Sequence, residues 1–150
     1  MHSWQKILIS SSLVLLLNAC TTANLNCSKE NFTFSDQQIL LNTATSTNAI
    51  FVLHNISSQS IWLNHETGHS MSAGWASSIS PNHWSALSVN KPNFNLTCET
   101  ASFKPIACHE VLEICHLSQP PTSNISAWVA EDKSFDDIRS VVLAQAGTQH

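Results

Sequence analysis

The segment His65-Glu66-Thr67-Gly68-His69 matches the pattern H-E-x-x-H. On a helix, two histidines four residues apart share a face and can hold Zn²⁺, while the glutamate takes a proton from a bound water. Under that reading His65 and His69 are metal ligands, Glu66 is the base, and the chain is a small secreted zinc metallopeptidase. The flanking residues oppose it. Ser60 to Asn64 carry a strand pattern, and Gly68 lowers helix stability by about 1 kcal/mol relative to Ala. Met71, Ser72 and Trp75 stand where a longer zinc signature needs a glycine and a third histidine. The expectation is therefore a polar loop, no cofactor and no catalytic residue, with zinc at this segment as the alternative. There is no G-x-S-x-G elbow, and only three glycines are present, too few for most phosphate-cradling loops.

The five cysteines divide into two groups. Cys20 closes the run Ile7 to Ala19, in which Lys6 precedes eleven residues of apolar character, Ile7 to Leu17. That run has the length of a secretory signal core and is too short to span a bilayer, which takes roughly 20 apolar residues. Leu17-Asn18-Ala19-Cys20 looks like a bacterial lipobox, apart from Asn18, which stands where a small or apolar residue is usual. The expected organisation is a signal peptide over 1–19, a lipidated Cys20, a polar tether over 20–31 and a single domain over 32–150. Plain cleavage after Thr21-Thr22-Ala23 is the alternative, and both readings export the chain.

An exported domain favours oxidised cysteines. Cys27, Cys98, Cys108 and Cys115 allow three pairings. Cys98 and Cys108 flank a short connection between two strand-like runs, so Cys98–Cys108 is the first expectation and Cys27–Cys115 the second, with free thiols at Cys27 and Cys115 as the alternative.

Only 11% of the residues are charged, against about 25% in an average soluble protein. Without residues 1–19 the chain keeps five basic and ten acidic residues, a formal charge of −5. With no Lys/Arg run, nucleic acid is not an expected partner. Membrane attachment has to come from lipid on Cys20, as an outer-membrane or periplasmic lipoprotein, or the chain is secreted. A protein partner or host-surface ligand is expected instead.

The elements that would position these residues are mainly β. Asn31 to Phe34, Ala49 to His54, Ser60 to His65, Trp84 to Val89, Asn93 to Cys98, and Ile125 to Ala130 read as strands. Ile106 to His116 reads as a strand or a helical turn, with strand favoured. Asn55 to Gln59 has hairpin length. Ile50 and Val52 share one face of their strand and Phe51 and Leu53 the other, so both faces are covered. Ser134 is a good N-cap; Asp136 and Asp137 suit the first turn; Phe135, Ile138, Val142 and Ala146 form one stripe that ends at Gly147. The expected fold is an antiparallel two-layer β-sandwich of seven or eight short strands with one C-terminal helix over 134–147. The tryptophans are expected to fill its core. Trp75 and Trp84, which flank a Ser-rich segment, are the candidates to rim a binding surface.

Ser60-Ile-Trp-Leu-Asn-His65, Ser72-Ala-Gly-Trp-Ala-Ser77, Trp84-Ser-Ala-Leu87, Phe94-x-Leu-x-Cys98 and Trp128 to Ser134 together resemble the enhanced-entry protein EnhB type of intracellular bacterial pathogens. The resemblance implies an envelope or secreted protein linked to virulence and host-cell entry, and no known reaction. A structural part in an envelope complex is the other non-enzymatic reading.

Overall fold

The computed structural model describes residues 25, 28–42, 49–65, 76–118 and 126–147. Cys20, Cys27, Glu66, His69 and Trp75 lie outside the described residues, as does the expected leader. Ten strands are named: β1 (Phe32–Ser35), β2 (Gln38–Leu41), β3 (Ala49–Asn55), β4 (Ile61–Asn64), β5 (Ala76–Ile79), β6 (Trp84–Val89), β7 (Phe94–Thr100), β8 (Pro105–Ile106), β9 (Leu112–Ser118) and β10 (Ala127–Lys133). Two helices, α1 (Cys108–Val111) and α2 (Phe135–Gly147), complete the set.

The strands form two antiparallel sheets. One runs β1-β2-β7-β4-β5, with β8 also paired to β7; the other runs β10-β6-β3-β9. Alternation within strands fills the space between them. Phe51 and Leu53 of β3 and Leu87 and Val89 of β6 meet Ile39, Leu41, Ile61, Leu63, Phe94 and Leu96 of the larger sheet, all essentially without solvent contact. The other face of the four-stranded sheet presents Ile50, Val52, Ala86, Cys115 and Leu117, and α2 covers it with Ile138 and Val142. The molecule is therefore a mainly β sandwich with the helix as a third layer. The helix begins where its sequence says it should: the Ser134 hydroxyl accepts the Asp137 N–H at 3.3 Å, and the Ser134 carbonyl accepts that of Ile138 at 3.0 Å.

Three expectations are corrected. Ten strands stand among the described residues, where seven or eight were expected, because β2 pairs with β1 through a tight reversal with Asp36 at φ 47, β5 pairs with β4, and the two-residue β8 pairs with β7. The run Ile106–His116 is both alternatives in succession, one helical turn followed by a strand. Residues 55–59 do not close a hairpin. β3 pairs with β6 and β9, whereas β4 pairs with β5 and β7, so this connection carries the chain from one sheet to the other. Buried Asn55 makes that crossing possible. Its Nδ2 donates to Gln59 O at 2.8 Å and to Ile79 O at 2.9 Å, and its Oδ1 accepts the Ser57 N–H at 2.9 Å.

Cys98 on β7 and Cys108 at the start of α1 are joined by a disulfide, with Cα atoms 5.3 Å apart and both residues buried. Cys115 is also disulfide-bonded; the cysteines left to partner it, Cys20 and Cys27, lie outside the described residues. Reducing the Cys98–Cys108 bridge reopens a ten-residue separation and is expected to lower stability by about 3 kcal/mol. The Phe51→Ala change empties a fully buried site and is expected to cost about 3–5 kcal/mol. Urea titration of the oxidised, reduced and substituted proteins measures both.

Candidate binding cleft and polar clusters

Trp84 opens β6, opposite His54 on β3 and Lys133 on β10. The His54 imidazole lies flat on the indole, ring centroids 3.9 Å apart and planes within 4°. His54 Nε2 is 2.9 Å from Asn82 Oδ1, so with the amide oriented this way the nitrogen donates. Its Nδ1 faces Glu113 Oε2 at 3.6 Å, directly across the β3–β9 pair. The Phe135 ring, at the first residue of α2, sits 5.1 Å from Trp84 at a tilt of 59°. Between these groups opens a cleft of about 210 Å³ lined by Leu25, Lys29, Trp84, Glu113, Ile114 and Phe135, with Cys115 at its wall. Lys29 closes one side by donating from Nζ to Ile114 O at 3.2 Å. The Trp84 expectation thus falls on a lining residue of a mostly apolar cleft.

The described tryptophans are half-buried instead of filling the sandwich core. Trp62 lies on the outer face of β4, between inward-facing Ile61 and Leu63. Trp84 sits at the edge of the helix layer, and Trp128 packs against the margin of the inter-sheet core.

A second cluster has no precedent in the sequence reading. The Asp132 carboxylate accepts the Ser80 N–H at 2.8 Å and the Ser80 hydroxyl at 2.9 Å, and stands 3.0 Å from His83 Nδ1. The Ser85 hydroxyl accepts the Asp132 N–H at 2.9 Å. Asp132 adopts φ 50 in a stretch of β10 where the pairing with β6 slips register. A histidine beside a carboxylate suggests acid–base chemistry. Here the serine hydroxyl bonds the carboxylate, not the imidazole, so the cluster is not wired as a nucleophile–base–acid relay. It works as a clip, joining the end of β5 in one sheet to β10 in the other. Burial raises the Asp132 carboxyl, but the Ser80 backbone and hydroxyl bonds and the adjacent His83 outweigh it, holding the group below the usual carboxylate range.

His65 stands directly after β4, outside any helix. Its ring stacks on Phe94 at 3.9 Å, and Nδ1 lies 2.7 Å from Asn95 O, to which it donates. Among the described residues no three His, Cys, Asp or Glu side chains come together as a metal site. Whether His69 and Glu66 meet His65 lies outside the described residues. His116, on β9, is buried beside Phe51 and takes a contact from Asn31 Nδ2 at 3.3 Å. Burial holds its imidazole below the usual histidine range, against an upward push from Glu30.

Two pH responses follow. The unfolded chain protonates His116 more readily than the folded one, so its contribution to stability is lost as the pH falls through about 6.5; His116→Gln is expected to remove that part of the loss. The Asp132 interactions stabilise above the unfolded carboxyl value of 3.8 and fade as the pH drops through the lower folded value. Asp132→Asn keeps a residue that tolerates positive φ, so the gap in melting temperature between wild type and variant is expected near pH 6 and to close toward pH 3. Calorimetric scans across that range read both effects.

Searches against protein-family models, curated proteins and solved structures find no match to the chain.

Proposed function

We propose that this chain is an exported, disulfide-bonded envelope lipoprotein that works by contact as a non-enzymatic binding or accessory module, in the setting of host-cell entry that its resemblance to the enhanced-entry type implies. The observation that carries the binding half is the Trp84 cleft. Its volume of about 210 Å³ is below the roughly 300–1,000 Å³ of sites that enclose small molecules. It suits one apolar side chain of a partner protein, and such anchors, seated in desolvated pockets, dominate protein–protein binding energy. Glu113, 60% exposed at its side chain, supplies a polar rim. The buried Cys98–Cys108 bridge supports the export half, because disulfides persist in oxidising compartments. The Lys6–Cys20 leader supports the anchor.

Metabolic labelling with palmitate is expected to mark the parent protein and not Cys20→Ser; an unlabelled parent removes the lipid anchor. A photo-crosslinker placed at position 113 in cells is expected to give a discrete protein adduct that Trp84→Ala loses. An adduct unchanged by that substitution would show that the cleft is not the contact. Protein purified without chelator is expected to hold substoichiometric zinc, and a full equivalent bound through His65 would return the peptidase reading.

A further inference from the structure

The N-terminal arm that enters the domain is part of the Trp84 cleft. Leu25 and Lys29 line it. Leu25 is 5% exposed and belongs to the apolar cluster beneath α2 with Cys115, Leu117, Ile138 and Val142. Ser28 lies along β9 and exchanges both backbone bonds with His116: its N–H donates to His116 O at 3.0 Å, and its carbonyl accepts the His116 N–H at 2.9 Å. Lys29 reaches Ile114 O from the next position, and Asn31 Nδ2 stands 3.3 Å from His116 Nδ1. Contacts at positions 25, 28, 29 and 31 therefore hold this arm on the sheet, and one wall of the cleft with it.

The arm also limits how far the cleft can stand from a membrane. Cys20, the residue expected to carry lipid, precedes Leu25 by five positions. An extended chain covers at most about 3.3–3.6 Å per residue, so the Leu25 wall lies within about 18 Å of the acylated residue, whatever path residues 21–24 take. The sulfur chemistry adds a second tie. Cys115, at the cleft wall, is disulfide-bonded. Cys98 and Cys108 are paired with each other, which leaves Cys20 or Cys27 as its partner. A sulfur alkylated by lipid is a thioether and cannot also join a disulfide, so under the lipoprotein reading the partner is Cys27, on the same arm.

We propose that the Trp84 cleft receives a membrane-embedded protein of the same leaflet, which seats one apolar side chain there close to where its chain leaves the bilayer. This rests on the lipoprotein reading above and narrows its partner. A cleft of about 210 Å³ that takes one side chain offers little area for a contact in free solution. Two proteins confined to one leaflet, one of them on a short leash, meet at a raised effective concentration, and the contact strengthens without new surface. A soluble partner has no such gain. A ligand on a facing cell would have to approach to within about 18 Å of this membrane. A lipid is disfavoured as occupant, because the cleft is already below the roughly 300–1,000 Å³ that encloses small molecules. Its ionisable lining residues, Lys29 and Glu113, carry opposite signs and select no charged headgroup.

The test places the photo-crosslinker at position 113 in cells and washes the isolated membranes at alkaline pH. The parent is expected to give an adduct whose second protein stays in the washed membranes, and Trp84→Ala to lose it. Two further variants address the leash. Replacing residues 1–19 with a signal peptide of the non-lipidated class, together with Cys20→Ser, exports the chain without an anchor, and the adduct is expected to fall about tenfold or more. A Gly/Ser linker of about 20 residues inserted after Ala23 keeps the lipid but adds roughly 25 Å of mean reach, and the adduct is expected to fall a few-fold. Both changes lie outside the cleft, and an unchanged melting temperature of each purified variant separates loss of the leash from loss of the fold. Peptide mapping of the oxidised parent is expected to recover a Cys27–Cys115 link. No adduct, an adduct with a soluble protein or with lipid alone, an adduct undiminished without the anchor, or a Cys20–Cys115 link would each overturn the proposal. An unlabelled parent in the palmitate experiment removes the lipoprotein reading and this proposal together. A labelled parent with a soluble adduct leaves that reading standing and overturns the membrane partner alone.

Discussion

Strand β3 is apolar on both faces, and the architecture answers that constraint. A strand carrying Phe51 and Leu53 on one side and Ile50 and Val52 on the other needs two covers. The larger sheet supplies the first and α2 the second. Docking of α2 in turn brings Phe135 against Trp84 and builds one wall of the apolar cleft. The cleft is thus a by-product of sealing a doubly buried strand, and its shape depends on the same Ile138 and Val142 contacts that hold the third layer down.

The chain changes sheets repeatedly, and polar groups hold the crossings. Asn55 and Asp132 do most of this at one end. The first bonds the turn before β4 and the end of β5, and the second ties Ser80 to β10. Asn55 is fully buried, where an unpaired amide would be costly, and the half-exposed Asp132 carboxylate adds a second tie, so together they favour one path for the backbone. With a low density of charge, the protein relies on Ser, Asn and a few carboxylates for this task.

Much of the layer arrangement was legible in the sequence. The two-faced apolar pattern of residues 50–53 and the capped stripe from Ser134 to Val142 each matched what formed, because period-2 and period-3.6 spacing report burial directly. The Cys98–Cys108 pairing was legible because the two residues bracket a short connection. The Asn55–Gln59 stretch was misread as a hairpin, since loop length alone does not say whether the next strand pairs with the last or joins the opposite sheet. The Asp132 clip was illegible: Ser80 and His83 lie 52 and 49 residues away, and its only local trace is an aspartate within a strand-like run, a poor strand former that marks the register slip.

The irregularity of β10 has a further effect on how molecules of this protein meet. β10 is the outer strand of its sheet, and its register slips twice within seven residues, around Ala130 and Asp132. The opposite margin, β9, is met at His116 by a two-way backbone pair with Ser28, at 3.0 and 2.9 Å. Among the described residues, the slips break up the β10 border and the Ser28 pair interrupts the β9 border, which makes either a poorer template for another chain to zip onto. This four-stranded sheet is therefore poorly suited to fibre-like stacking of one copy on another.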